Sequence, residues 1–215
     1  MRLHRPTVRL HADRAPVSQT GDHRIWLANS RRRGPAAAAS TRRIAHPCRM
    51  NKADVQHLID YMYWVNHRLL DAADQLSPDE LTAPTSVTMR DLRATLVHEL
   101  DVEWSWRLNL QGRLTDADED LRPEDYPDAA AIREHWGRDE AEMRAWLDGL
   151  TDEDIAAPVH SDLSADDRPL WTYLLHIVFH ATQQQADAAT LLTLAGRSPG
   201  EIGYLEMARE LNSRP

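Results

Sequence analysis

The sequence predicts an all-α protein: a four-helix bundle with an approximate internal twofold repeat, preceded by a disordered basic N-terminal tail. Three observations lead there. Apolar residues recur at three- and four-residue spacing in four long segments, no stretch keeps the two-residue period of a strand, and one short motif occurs twice, each time joining two helical segments.

The first helix is marked by Val55, Leu58, Met62, Val65, Leu69, Ala72 and Leu76, one apolar stripe of the kind that packs on a core. Ser77-Pro78-Asp79-Glu80 breaks it, with Ser77 placed to cap and Pro78 suited to a first helical turn. A second helix is expected from about Thr88 to Gln111, stopped by Gly112. After an acidic, Pro-containing linker (Thr115 to Asp128), Ile132, Trp136, Met143, Leu147 and Leu150 mark the third. The fourth begins near Pro169 with the stripe Leu170, Leu174, Ile177, Ala181, Gln184, Ala188, Leu191 and Ala195, and ends at Gly196. A short fifth segment, Glu201 to Leu211, is expected to lie across one end. The repeated motif is LSPDELTAP (76–84), which returns as LTDEDIAAP (150–158). Each copy is followed by a further match, Leu92-x-x-x-Leu96-Val97-His98 against Leu170-x-x-x-Leu174-Leu175-His176, and two like hairpins suggest the twofold.

Charge divides the chain at about residue 50. Residues 1–49 hold eleven of the 25 Lys and Arg but two of the 34 Asp and Glu, a balance of +9 that leaves −18 for residues 50–215. The tail has no apolar face able to dock and no secretory h-region, and Met50 followed by Asn51 reads as the start of the domain, which makes the tail an upstream-start extension, an address segment or a basic arm. An acidic domain repels phosphate backbones, so nucleic acid is not expected as its partner. The single cysteine, Cys48, excludes a disulfide framework and a thiolate metal site, and fits a reducing, cytoplasmic setting. The longest span free of Asp, Glu, Lys and Arg, 169–186, has about the length of a membrane crossing but carries two His and three Gln, and is not read as one.

Seven of the eleven histidines lie in the domain, and a lone helical histidine is ordinarily a surface or hydrogen-bonded residue. His57, His67, His135 and His160 are read that way. On the fourth helix, at about 100° per residue, Gln184 lies about 30° from the centre of the stripe, His180 about 70° and His176 about 110°. The inward pair spaced by four is therefore His180 and Gln184, with His176 on the flank. His98 on the second helix is the natural partner from a facing helix. It shares its side with Thr95, Val102 and Trp106, which gives that helix two apolar sides, as if wedged between neighbours. Glu99 and Glu103 fall between them and are read as solvated charges, or else as groups bracing an imidazole. Trp64, Trp104, Trp106 and Trp171 are read as core and bundle-end packing.

The stretches YMYWVNHRLLDAADQLSPDEL (61–81), LRATLVHELDVEWSWRLNLQG (92–112), PLWTYLLHIVFHATQQQADAATLLTLAG (169–196) and RSPGEIGYLEM (197–207) resemble, in unbroken order, the DinB family, whose wider superfamily includes YfiT-like proteins and mycothiol- or bacillithiol-dependent transferases. The resemblance implies a four-helix bundle, often a homodimer, holding a divalent metal, zinc or nickel, on three histidines: one from the second helix and an HxxxH pair from the last long one. Here those positions are His98, His180 and Gln184, so the third imidazole is replaced by a carboxamide, a weak ligand for such ions. Three arrangements follow: Gln184 binds weakly through its oxygen, His176 takes its place after a modest rotation, or the metal is gone and Gln184 bonds to His98 or His180.

The resemblance therefore implies a metal-dependent enzyme on small molecules, a thiol-dependent S-transferase or a hydrolase, with a low-molecular-weight thiol as partner; the alternative is a metal-free binding or stress-associated bundle. No general acid, base or substrate pocket is assigned. Removing residues 1–49 should leave a folded helical domain, and a large loss of helical circular dichroism or of melting cooperativity in the shortened protein would contradict this.

Overall fold

A computed structural model describes residues 50–213 apart from 116, 162, 163 and 165. The predicted tail, with Cys48, lies outside the described residues. Four long helices dominate: α1 (Lys52–Ala73), α3 (Leu92–Leu110), α4 (Ala129–Asp148) and α6 (Leu170–Leu194). Short helices α2 (Pro78–Leu81) and α5 (Asp152–Ala156) join them, α7 (Tyr204–Ser213) follows, and a single 3-10 turn covers Pro123–Asp125. The fold is all-α as predicted; among the described residues the one sheet is a two-residue antiparallel ladder, β1 (Pro158–Val159) on β2 (Arg168–Pro169), which the sequence pattern does not announce.

Local chemistry sets the ends. Asn51 and Asp54 form a reciprocal capping box on α1, and the Asp91 and Asp128 carboxylates accept the Ala94 and Ala131 amides at the starts of α3 and α4. Asp91 explains why α3 starts after Thr88: once its carboxylate holds an amide of the first turn, the preceding residues are outside the helix. Gly112 (φ 65°) and Gly196 (φ 73°) end α3 and α6 in the same way, each followed by an Arg amide that bonds back to Leu108 or Leu192. The repeated motif is a repeated structure. Ser77 with Glu80, and Thr151 with Asp154, make equivalent capping boxes, and the turns they start bury Leu81 and Ile155 completely.

The long helices contact one another in a closed ring: α6 packs on both α1 and α3, and α4 packs on both from the other side. α3 therefore has neighbours on two sides, as its two apolar sides imply, and almost all of it from Leu92 to Val102 is buried or half-buried. Helix α7 contacts α1 and buries Met207; from α1 the Tyr61 hydroxyl donates to the Ile202 carbonyl just before α7, and the Trp64 indole donates to Glu210 within it. Among the described residues no helix is long and apolar enough to cross a membrane.

The first helix keeps its predicted face: Val65 is fully buried, whereas the His67 side chain is 56% exposed and meets Glu140. Leu174→Ala should cost about 2–5 kcal/mol, Val65→Ala should also destabilise, and His67→Ala should cost far less. Denaturant midpoints that rank His67→Ala as the most damaging of the three would reverse this assignment.

Candidate functional site

Helices α3 and α6 run antiparallel along their seam. Trp106, late in α3, stacks on Tyr173, early in α6, with ring centroids 5.7 Å apart, while His98, two turns earlier in α3, meets His180, two turns later in α6, at 5.1 Å. His98 and His180 are both half-buried, so their rings are close to each other and within reach of a solute. His176, one turn before His180, is exposed and sits on the Trp106 ring at 4.9 Å, where burial lowers its pKa. The structure thus brings two of the predicted site residues together and seats the flanking histidine on an indole.

The third position needs a correction of phase. The glutamine that enters the core is Gln185, 2% exposed, and not Gln184, which is half-buried; Ala195 at the end of the predicted stripe is exposed. Gln185 points its amide at α1 and donates to the Met62 carbonyl (3.1 Å) and to Asn66 Oδ1 (2.6 Å). Those two acceptors pull the buried face of α6 round by part of a residue step. Relative to His180, at about 100° per residue, Gln184 lies about 40° towards the core and His176 about 40° towards solvent.

Behind the seam is a polar cluster, Glu99 and Glu103, for which the solvated one of the two readings fails. Glu99 and Glu103 are 0% and 1% exposed. Glu103 accepts from Asn66 Nδ2 (3.0 Å) and from the Trp136 indole (2.9 Å), and Glu99 lies enclosed beside Glu103, Gln185 and Asn66. That failure has a cause: α3 is closed in by α4 and α6, so the positions between its apolar sides face neighbouring helices. Burial pushes the Glu99 carboxyl well above the carboxylate range, helped by the Glu103 charge, and pushes Glu103 up to about 8 against the pull of its two donors. One turn further, Arg107 and Asp139 form a buried ion pair between α3 and α4.

The remaining histidines behave as ordinary polar residues. His57 meets the Tyr204 hydroxyl, His67 Glu140, His135 the Tyr126 hydroxyl and His160 Asp167. Of the four tryptophans expected to pack, all are half-buried; the fully enclosed one is Trp136, whose indole serves Glu103.

A zinc- or nickel-type ion at the seam would find two imidazoles and, from position 184, at most a carboxamide. Among the described residues no group of three His, Cys, Asp or Glu side chains is arranged to hold a metal. The donor set falls one nitrogen short of a three-histidine centre, and it does not fit a tightly held resident ion of that kind.

The raised Glu103 pKa fixes a pH dependence. In the unfolded chain this carboxyl ionises near 4.5, whereas in the fold it keeps its proton up to about 8. The folded state binds the extra proton, so this contribution to stability is complete below 4.5 and is lost as pH rises through 8. Melting temperatures should fall from pH 6 to pH 9, and Glu103→Gln should flatten that fall. A variant with the wild-type slope would remove Glu103 as its source.

A profile of the DinB family matches residues 50–212. The fold is similar to the crystal structure of a DinB-like protein from Bacillus cereus, at 15% identity and a TM-score of 0.56, over 72% of this chain and 99% of that one. A conserved protein from Enterococcus faecalis aligns at 15% identity and a TM-score of 0.46, over 65% of this chain and 95% of that one. Among curated proteins none matches. With the family profile covering the whole helical domain, the chain belongs to the DinB family.

Proposed function

We propose that this DinB-family chain acts on a small molecule at the seam between α3 and α6, with His98 and His180 as the working groups, in thiol-dependent transfer or hydrolysis. One observation supports the reading above others: two imidazoles from different helices, with ring centroids 5.1 Å apart and both half-buried, two turns from the stacked Trp106 and Tyr173. Imidazole is the side chain best matched to taking a proton from a thiol or a water near neutral pH and returning it to a leaving group. A low-molecular-weight thiol fits as the second substrate, and pairing of two copies belongs to the same reading.

In this reading a divalent ion such as zinc or nickel is a weak, exchangeable occupant of His98, His180 and Gln184. The shortfall of donors favours a second reading, a metal-free helical protein that binds its partner without catalysis. Calorimetric titration with zinc separates them. Wild type should bind weakly, Gln184→His should bind about one ion per chain far more tightly, and His98→Ala or His180→Ala should abolish that gain. If the wild type shows no zinc uptake and His98→Ala leaves every thiol-transfer and hydrolytic activity of the protein unchanged, the seam is not a reaction site and the second reading stands.

A further inference from the structure

Helices α3 and α6 are built on one pattern, and the four leucines at its shared positions, Leu92, Leu96, Leu170 and Leu174, are all buried. Each helix follows an equivalent capped turn, and the two lie antiparallel in direct contact. Two like helices in that relation approximate a local twofold, and under such an exchange a contact has its counterpart at positions shifted by the 78 residues that separate Leu92 from Leu170. Position 184 is then the equivalent of Trp106, and His98 the equivalent of His176. The Trp106 to His176 contact at 4.9 Å implies its counterpart, a contact between position 184 and His98. The same exchange leaves His176 with its own partner, the indole.

The rotation of α6 about its axis is held by Gln185. Its amide is pinned by Asn66 and the Met62 carbonyl on α1, and Asn66 is pinned in turn by Glu103 on α3. To give His176 the place of Gln184, eight residues on, α6 would have to turn by about 80° and slide by about 12 Å along its axis. That turn would drag Gln185 out of the core and leave the Asn66 oxygen buried with no donor, the costly outcome for a polar group away from water.

We propose that Gln185 is a positioning residue which, through Asn66, fixes the rotation of α6, gives the third place beside His98 and His180 to position 184, and keeps His176 on Trp106. The proposal rests on the reading of His98 and His180 as the functional site.

Cobalt(II), followed by its visible absorption, reads both affinity and coordination number. In the Gln184→His background the protein should take up one cobalt tightly, with the intense spectrum of a four-coordinate ion, and adding His176→Ala should change the affinity by less than about twofold. Adding Gln185→Met, which keeps the side-chain length and removes the amide, should weaken cobalt about tenfold or more. Leu192→Ala, a core truncation on the same helix, should leave the affinity within about twofold, so destabilisation alone does not mimic the effect. Tight cobalt binding that survives Gln185→Met, or that is lost with His176→Ala, overturns the proposal while sparing the site. Failure of Gln184→His to gain any cobalt would remove position 184 from the site, and both conclusions with it.

Discussion

The arrangement depends on one chain of buried hydrogen bonds: Trp136 on α4 to Glu103 on α3, Glu103 to Asn66 on α1, and Asn66 to Gln185 on α6. Every long helix contributes one member. Apolar side chains favour contact but tolerate sliding and rotation, since one leucine against another is nearly as good a half turn away. A buried amide is less forgiving, because each misplaced donor forfeits its bond without regaining water. Oil-like packing explains why the helices associate, and the polar chain explains why they associate in this register.

Much of the fold was legible in the sequence because its determinants are local. Capping residues, terminal glycines and the apolar spacing of four segments act within a turn or two, and α1, α4 and α6 lie close to where these signals put them. The pairing of His98 with His180 was legible from the helix positions and the family resemblance together. The phase of α6 was not. Periodicity fixes a stripe to within some tens of degrees, and the choice between Gln184 and Gln185 falls inside that width; it is made by Asn66 and Met62, more than a hundred residues away. The choice between the two readings of Glu99 and Glu103 was open for a related reason, since a carboxylate signals solvent unless the partner helices that enclose it are known.

In the proposed site a carboxamide at position 184 changes the character of the seam. With three imidazoles, a transition ion is a structural fixture that holds two helices together as well as a chemical one. With two and a carboxamide, cohesion must come from elsewhere, and here Trp106 stacked on Tyr173, with His176 against the indole, occupies the same seam two turns away.

The two capped turns have a meaning for how the chain acquires its shape. Ser77 with Glu80 and Thr151 with Asp154 are contacts between near neighbours, available before any distant part of the chain has arrived. Each turn also carries a side chain, Leu81 or Ile155, that needs only the adjoining helices to be covered. Folding can therefore begin twice, once in each half, at low entropic cost. The late event is the docking of one half on the other, when the Asn66 and Glu103 pair of the first half must meet Gln185 and Trp136 of the second at once, and a chain that docks with the wrong rotation has satisfied oil but not amides, an error it can correct by turning a helix without unfolding a hairpin.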